Sequence, residues 1–101
     1  MYTWTIEKNE ANKKKHGFYL SDIVEVFDDP YLLEFYDEKH SSLEEDRFIT
    51  IGRFQDTVLL FVVTTDKQNG NIQIISAREA TPKEEKAYYD YYPKNAYSGG
   101  N

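Results

Sequence analysis

At 101 residues the chain can form one modest core, and nine Tyr, six Phe and one Trp exclude a disordered body. The absence of cysteine excludes disulfide scaffolds, cysteine–zinc sites, iron–sulfur clusters and thiol nucleophiles. No apolar run reaches membrane-span length, and the N-terminus has no signal-peptide core. Twelve Lys and Arg against eighteen Asp and Glu leave a net charge of −6, which disfavours a general nucleic-acid binder.

Taken in chain order, residues 2–6 alternate large and small side chains and predict a short strand. Residues 7–16 are rich in Lys, Glu, Ala and Asn and predict a helix that Gly17 stops, with Lys13, Lys14, Lys15 and His16 at its C-terminal end. Ser21 reads as the cap of a second helix carrying Ile23, Val24 and Phe27, closed by Asp29-Pro30. Residues 32–36 predict a short edge strand, and 37–45 a polar loop. Stronger strands are predicted over 47–54, 58–65 and 72–78, with 59–63 continuously apolar at the sheet centre. Asn69-Gly70 marks a hairpin between the last two. Thr81, Pro82 and Glu84 form a capping box that opens a last helix reaching Tyr92.

The expected fold class is α+β: an antiparallel meander sheet with two N-terminal helices packed on one face and a C-terminal helix. One domain is expected over 1–92, followed by a flexible tail over 93–101.

Candidate chemistry is sparse. His16 and His40 are the only histidines and lie too far apart for a metal motif, so no metal or cofactor is expected. No phosphate-binding glycine loop or nucleophile elbow is present. Ten acids and a single base, Lys39, fall between Asp22 and Asp46, while most cations lie outside that window. A fold gathering those cations would be bipolar, with one face that attracts phosphate. Lys15, His16, Arg47, Arg53 and Arg78 are scattered at strand and helix ends, and His, Lys and Arg are among the side chains that can cleave RNA without a metal. The bland readings are a solvated helix end for Lys13, Lys14 and Lys15, a helix C-terminus for His16, and cross-strand pairing for the arginines. The tyrosines of 87–92 read as packing.

Several segments resemble one family. They are Trp4, Asn12-Lys-Lys-Lys-His-Gly17, Asp22-Ile-Val-Glu-Val-Phe-Asp-Asp-Pro30 and His40-Ser41. Further along come Glu45-Asp-Arg-Phe-Ile-Thr-Ile-Gly52, Ile74-Ile-Ser-Ala-Arg78, and Ala80-Thr81 followed by Glu85. Together they resemble BrnT, the toxin of the BrnT/BrnA type II toxin–antitoxin systems, across about residues 2–88. The resemblance implies a RelE-like ribonuclease fold, cytoplasmic location, and translation arrest by cleavage of an RNA substrate. It also implies neutralisation by a BrnA-like ribbon-helix-helix antitoxin, with operator DNA reached only through that antitoxin, and no membrane.

On this reading His16 is the proton-transfer group, Arg47 and Arg78 clamp phosphate, and Lys15 adds charge stabilisation. Lys13, Lys14 and Arg53 are expected to bind RNA. The sequence departs from the family pattern at Thr5, at Thr64 where a Tyr is usual, at Gln73 where an Arg is usual, and at Glu85-Lys86. The losses at Thr64 and Gln73 raise an alternative: an inactive homologue that acts as an antitoxin-binding module in operon repression. An unbroken strand after Gln73 puts Arg78 on the opposite face, whereas a bulge after Ile75 brings it round.

Overall fold

The computed structural model describes residues 1–92, so the predicted tail over 93–101 lies outside the described residues. Five strands form one sheet: β1 (Tyr2–Thr3), β2 (Leu33–Tyr36), β3 (Arg47–Phe54), β4 (Val58–Asp66) and β5 (Ile72–Glu79). Their spatial order is β1-β5-β4-β3-β2. Strands β2 to β5 pair antiparallel, as their predicted order implies. β1, in contrast, lies parallel to β5, with Tyr2 opposite Ile72 and Thr3 opposite Gln73. The sheet is therefore mixed, not a pure meander. A two-residue strand carries a pairing tendency but no turn that fixes its partner, so its place was not readable locally.

One residue reorganises β5. Val63 stands opposite Ser76 and Thr64 opposite Ile74, which leaves Ile75 as an extra residue in a bulge. Alternation resets there, and Gln73, Ser76 and Arg78 all share the face of Val63 and Phe61.

The opposite face carries the larger core. Leu60, Val62, Ile74 and Ala77 pack there against Leu20, Ile23, Val26 and Phe54. The cover is two short 3-10 turns, Leu20–Asp22 and Val24–Asp28, not the single helix expected after Ser21. Leu20, Ile23 and Val26 are fully buried and recur every three residues, the period of a 3-10 turn and not of an α-helix. Ser21 makes no cap; its amide donates to Asn9 Oδ1 at 3.2 Å. These turns press directly onto β3. A Cβ on Gly52 would stand 3.0 Å from Val26 Cγ2 and 3.1 Å from the Val26 carbonyl oxygen.

Helix α1 (Ile6–His16) is capped by Thr5, whose hydroxyl accepts from the Lys8 amide at 3.1 Å, and Gly17 ends it with φ 87°. It has almost no apolar stripe, and its one buried residue is Asn12. The Asn12 amide donates to the Ala77 carbonyl at 2.8 Å, and its Oδ1 accepts from the Ala77 amide at 3.0 Å. Asn12 thus imitates a strand partner beyond the end of β1. This docks α1 against the free edge of β5 instead of laying it on the sheet face.

Helix α2 (Pro82–Tyr91) has the predicted capping box and covers part of the second face. Tyr88 and Ala80 pack there with Ile51 and Leu59. Asp29 ties the layers together: one oxygen accepts from the Arg53 amide at 2.9 Å and the Tyr88 hydroxyl at 2.7 Å. Burial and the Asp29 carboxylate push the Tyr88 phenol upward, so it remains a proton donor. The Asn69-Gly70 link turns as expected, with φ 66° and 75°. Among the described residues no helix is long and apolar enough to cross a membrane.

Candidate active-site cleft

Where α2 stops covering the second face, a cavity of about 310 Å³ opens. It is lined by Asp37, His40, Arg47, Ile49, Phe61, Val63, Ile75, Ser76 and Arg78. Register explains why two distant arginines meet here. Arg47 pairs with Thr65 and Arg78 with Phe61, so both point from the same face of neighbouring ladders. Their backbones lie two strands, ~10 Å, apart across the sheet and four residues, ~13 Å, apart along it. Ile49, Val63 and Ser76 form the floor between them. Without the Ile75 bulge Arg78 would face the core.

Each arginine is held by a carboxylate. The Arg78 guanidinium donates to Glu84 Oε1 and Oε2 at 2.8 and 2.9 Å and stacks 4.1 Å above the Phe61 ring centre. The hydrogen bonds from Arg78 hold the Glu84 carboxyl below the usual carboxylate range. Arg47 Nε donates to Glu45 Oε1 at 2.8 Å, and that bond lowers the Glu45 carboxyl as well.

His16 and Lys15 do not line this cleft but a depression beside it. The α1 positions Lys8, Ala11, Asn12, Lys15 and His16, three or four apart, share one helix face. With Ile75 and Ser76 they line a second depression of about 250 Å³. The two depressions therefore share Ile75 and Ser76. Burial first, then Lys15 and Arg78, push the His16 imidazole below its ordinary value, favouring the neutral ring.

The remaining predicted RNA contacts lie elsewhere. Lys13 donates to the Gly17 carbonyl at 3.3 Å and stands 5.4 Å over Tyr19, lining a different depression. Lys14 is exposed on α1. Arg53 donates to the Asp56 carbonyl at 2.7 Å and lies among Glu25, Asp28, Asp29 and Asp56. That surroundings is acidic and a poor place for phosphate.

Sequence reasoning passed over Asp37 and His40. Asp37 is buried, and its Oδ2 lies 2.9 Å from His40 Nδ1. The Asp-x-x-His spacing within one turn was the available signal.

Residues 4–84 match the family model for the ribonuclease toxin BrnT of type II toxin–antitoxin systems. The chain belongs to the BrnT family. The crystal structure of the Brucella abortus ribonuclease toxin BrnT matches with a TM-score of 0.65 at 25% identity, covering 80% of this chain and 97% of that one. No curated protein sequence matches the chain. The BrnT-matching span contains every residue named in the two depressions, and Glu84 is its last position. Of the departures from the BrnT pattern, Thr64 is buried on the core face, so it removes nothing from the cleft. Gln73 is on the cleft face, opposite Thr65.

Proposed function

We propose that this BrnT family member is a metal-independent endoribonuclease that cuts RNA in the Arg47–Arg78 cleft. The observation that carries the reading is the convergence of two arginines from different strands on one half-open cavity. A guanidinium fork matches phosphate oxygens and stabilises the charge that gathers on them during cleavage. His16 takes the proton of the attacking 2′-hydroxyl, and its lowered pKa keeps it in the accepting form at neutral pH. Lys15 adds positive charge beside the same phosphate. The attack forms the O2′–P bond and breaks the P–O5′ bond, leaving a 2′,3′-cyclic phosphate and a 5′-hydroxyl.

Cleavage of cellular RNA arrests translation in the cytoplasm, on a RelE-like fold. A BrnA-like ribbon-helix-helix antitoxin neutralises the toxin and brings the complex to operator DNA. Purified protein incubated with end-labelled RNA in EDTA tests the reading. The expected products end in cyclic phosphate, and Arg47→Ala and Arg78→Ala each abolish them. Intact RNA under these conditions sinks the nuclease reading.

A second reading has one observation in its favour: both cleft arginines are already paired with carboxylates. It makes the protein an antitoxin-binding module. Induced expression separates the two readings. Growth arrest relieved by the neighbouring gene product supports the toxin, whereas tight binding of that product with no arrest supports the module.

A further inference from the structure

We propose that His40, held in place by Asp37, is the general acid of this cleft and protonates the 5′-oxygen that leaves when RNA is cut. The proposal rests on the nuclease reading and adds the proton donor that reading lacks. A carboxylate only accepts hydrogen bonds, so the 2.9 Å contact to Asp37 Oδ2 places the hydrogen on His40 Nδ1. Nε2 is left as the ring's working atom: in the imidazolium form, paired with the Asp37 carboxylate, it carries the proton that is donated, and His40 lines the same cavity as Arg47 and Arg78. The Asp37 carboxylate also accepts from the His40 backbone amide, at 3.3 Å through Oδ1.

Asp37 is in turn built into the start of β3. Its amide donates to the Arg47 carbonyl at 2.8 Å, and its carbonyl accepts from the Ser41 hydroxyl at 2.7 Å. Ser41 Oγ also accepts from the Arg47 amide at 2.9 Å. The imidazole and the Arg47 clamp are therefore positioned by one set of bonds. A merely structural histidine explains less. The Asp37 side chain is 10% exposed but that of His40 is 60% exposed, so the ring is tethered at one nitrogen and open at the other. A contact with one partner so open to solvent adds little stability.

The placement of the two histidines suits the reaction. Displacement at phosphorus puts the attacking and leaving oxygens roughly in line. His16 approaches the shared Ile75–Ser76 floor from α1, and His40 approaches it from the turn before β3. A phosphate held between the arginines thus has a proton acceptor on the α1 side and a donor on the other. The 2′ proton passes to His16, the His40 proton passes to O5′, and the two rings exchange protonation states with solvent before the next turnover.

The test uses two versions of one oligonucleotide that carries a mapped cut site, with oxygen or sulfur at the bridging 5′ position. A thiolate leaves without a proton, so loss of the acid is rescued only on the sulfur substrate. His40→Ala and His40→Gln are expected to lose about 100- to 10,000-fold on the oxygen substrate, the scale of general acid catalysis, and to come within about tenfold of wild type on sulfur. Asp37→Asn, the positioning variant, is expected to show a smaller loss with the same rescue. His16→Ala is expected to be impaired on both substrates. Two results overturn the proposal while leaving the nuclease reading intact: wild-type activity of His40→Ala on oxygen, or an equal loss on both substrates. If wild type cuts neither substrate, the nuclease reading falls and this proposal with it.

Discussion

Glu84 grips both terminal nitrogens of Arg78 while the same carboxylate closes the capping box of α2. Its Oε1 accepts from Arg78 at 2.8 Å and from the Thr81 amide at 2.9 Å. The start of α2 and one edge of the cleft are therefore a single construction. It also competes with any phosphate for Arg78. Glu84→Gln keeps the shape and removes the charge. We expect a stability loss of about 1 kcal/mol, from the weakened cap and ion pair, together with tighter RNA binding. Thermal unfolding and filter binding read the two effects. Weaker RNA binding by a folded Glu84→Gln protein would show that Glu84 orients Arg78 for RNA and does not compete for it.

The same contacts predict a pH dependence of stability. Glu84, held low chiefly by Arg78, and Glu45, held low chiefly by Arg47, have folded-state values below the ordinary 4.5. Such groups add stability above the unfolded value and lose it as pH falls through the folded value. His16, lowered from 6.5 mainly by burial, acts in a higher window. Its proton is taken up first by the unfolded chain, so stability falls as pH drops below that value. Denaturant midpoints measured from neutral to acid pH should decline in two stages. His16→Ala flattens the upper stage, and Glu84→Gln reduces the lower one. An unchanged upper stage in His16→Ala would contradict the burial of its imidazole.

Asn12 supplies a prediction about architecture. It is the only buried residue of α1 and satisfies both backbone groups of Ala77. Asn12→Ala strands a buried amide and carbonyl at a strand edge, which costs about 1–3 kcal/mol. Because Lys15 and His16 follow one turn later on the same helix face, the loss should also lower RNA cleavage. Asn12→Ala is expected to melt several degrees below wild type, with weakened amide-exchange protection at Ala77. Full protection at Ala77 in the variant would mean that another group can take the place of Asn12.

Local chemistry made much of the fold legible, and long-range geometry accounts for the rest. Thr81 with Glu84, Gly17, and the apolar run in β4 act within a few residues of themselves, so their elements followed directly. The turns around Ile23 carried their own signal, an apolar repeat of three at Leu20, Ile23 and Val26, but it reads as half of a helical pattern unless the period is counted. The pairing of Tyr2 with Ile72 joins residues 70 apart in sequence (72 − 2) and has no local marker. The cleft shows the same division. Arg47 and Arg78 could be named as cations in strands, but only the bulge at Ile75 puts them on one face. His40 was passed over because its partner, Asp37, gives no sign in the sequence of being buried.

That bulge also gives meaning to Gln73, where the family resemblance implies an arginine. Gln73 pairs with Thr65, and Thr65 pairs with Arg47, so the three lie in one row across the cleft face. An arginine at this position would stand two strands, ~10 Å, from Arg47, and its fork could reach a phosphate on the neighbouring nucleotide. A charge-assisted hydrogen bond contributes about 1.5–3 kcal/mol, or roughly ten- to hundred-fold in binding or rate depending on whether it forms in the bound state or only in the transition state. Position 73 is half-buried and pairs with buried Thr65, so the longer side chain must extend over Thr65 toward solvent. We therefore expect Gln73→Arg to fold with near-wild-type stability and to cut labelled RNA at least tenfold faster at subsaturating substrate. Arg78→Ala placed in the same background should remove most of that activity. A folded Gln73→Arg protein with unchanged cleavage and unchanged RNA affinity would show that the substrate path ends short of this row.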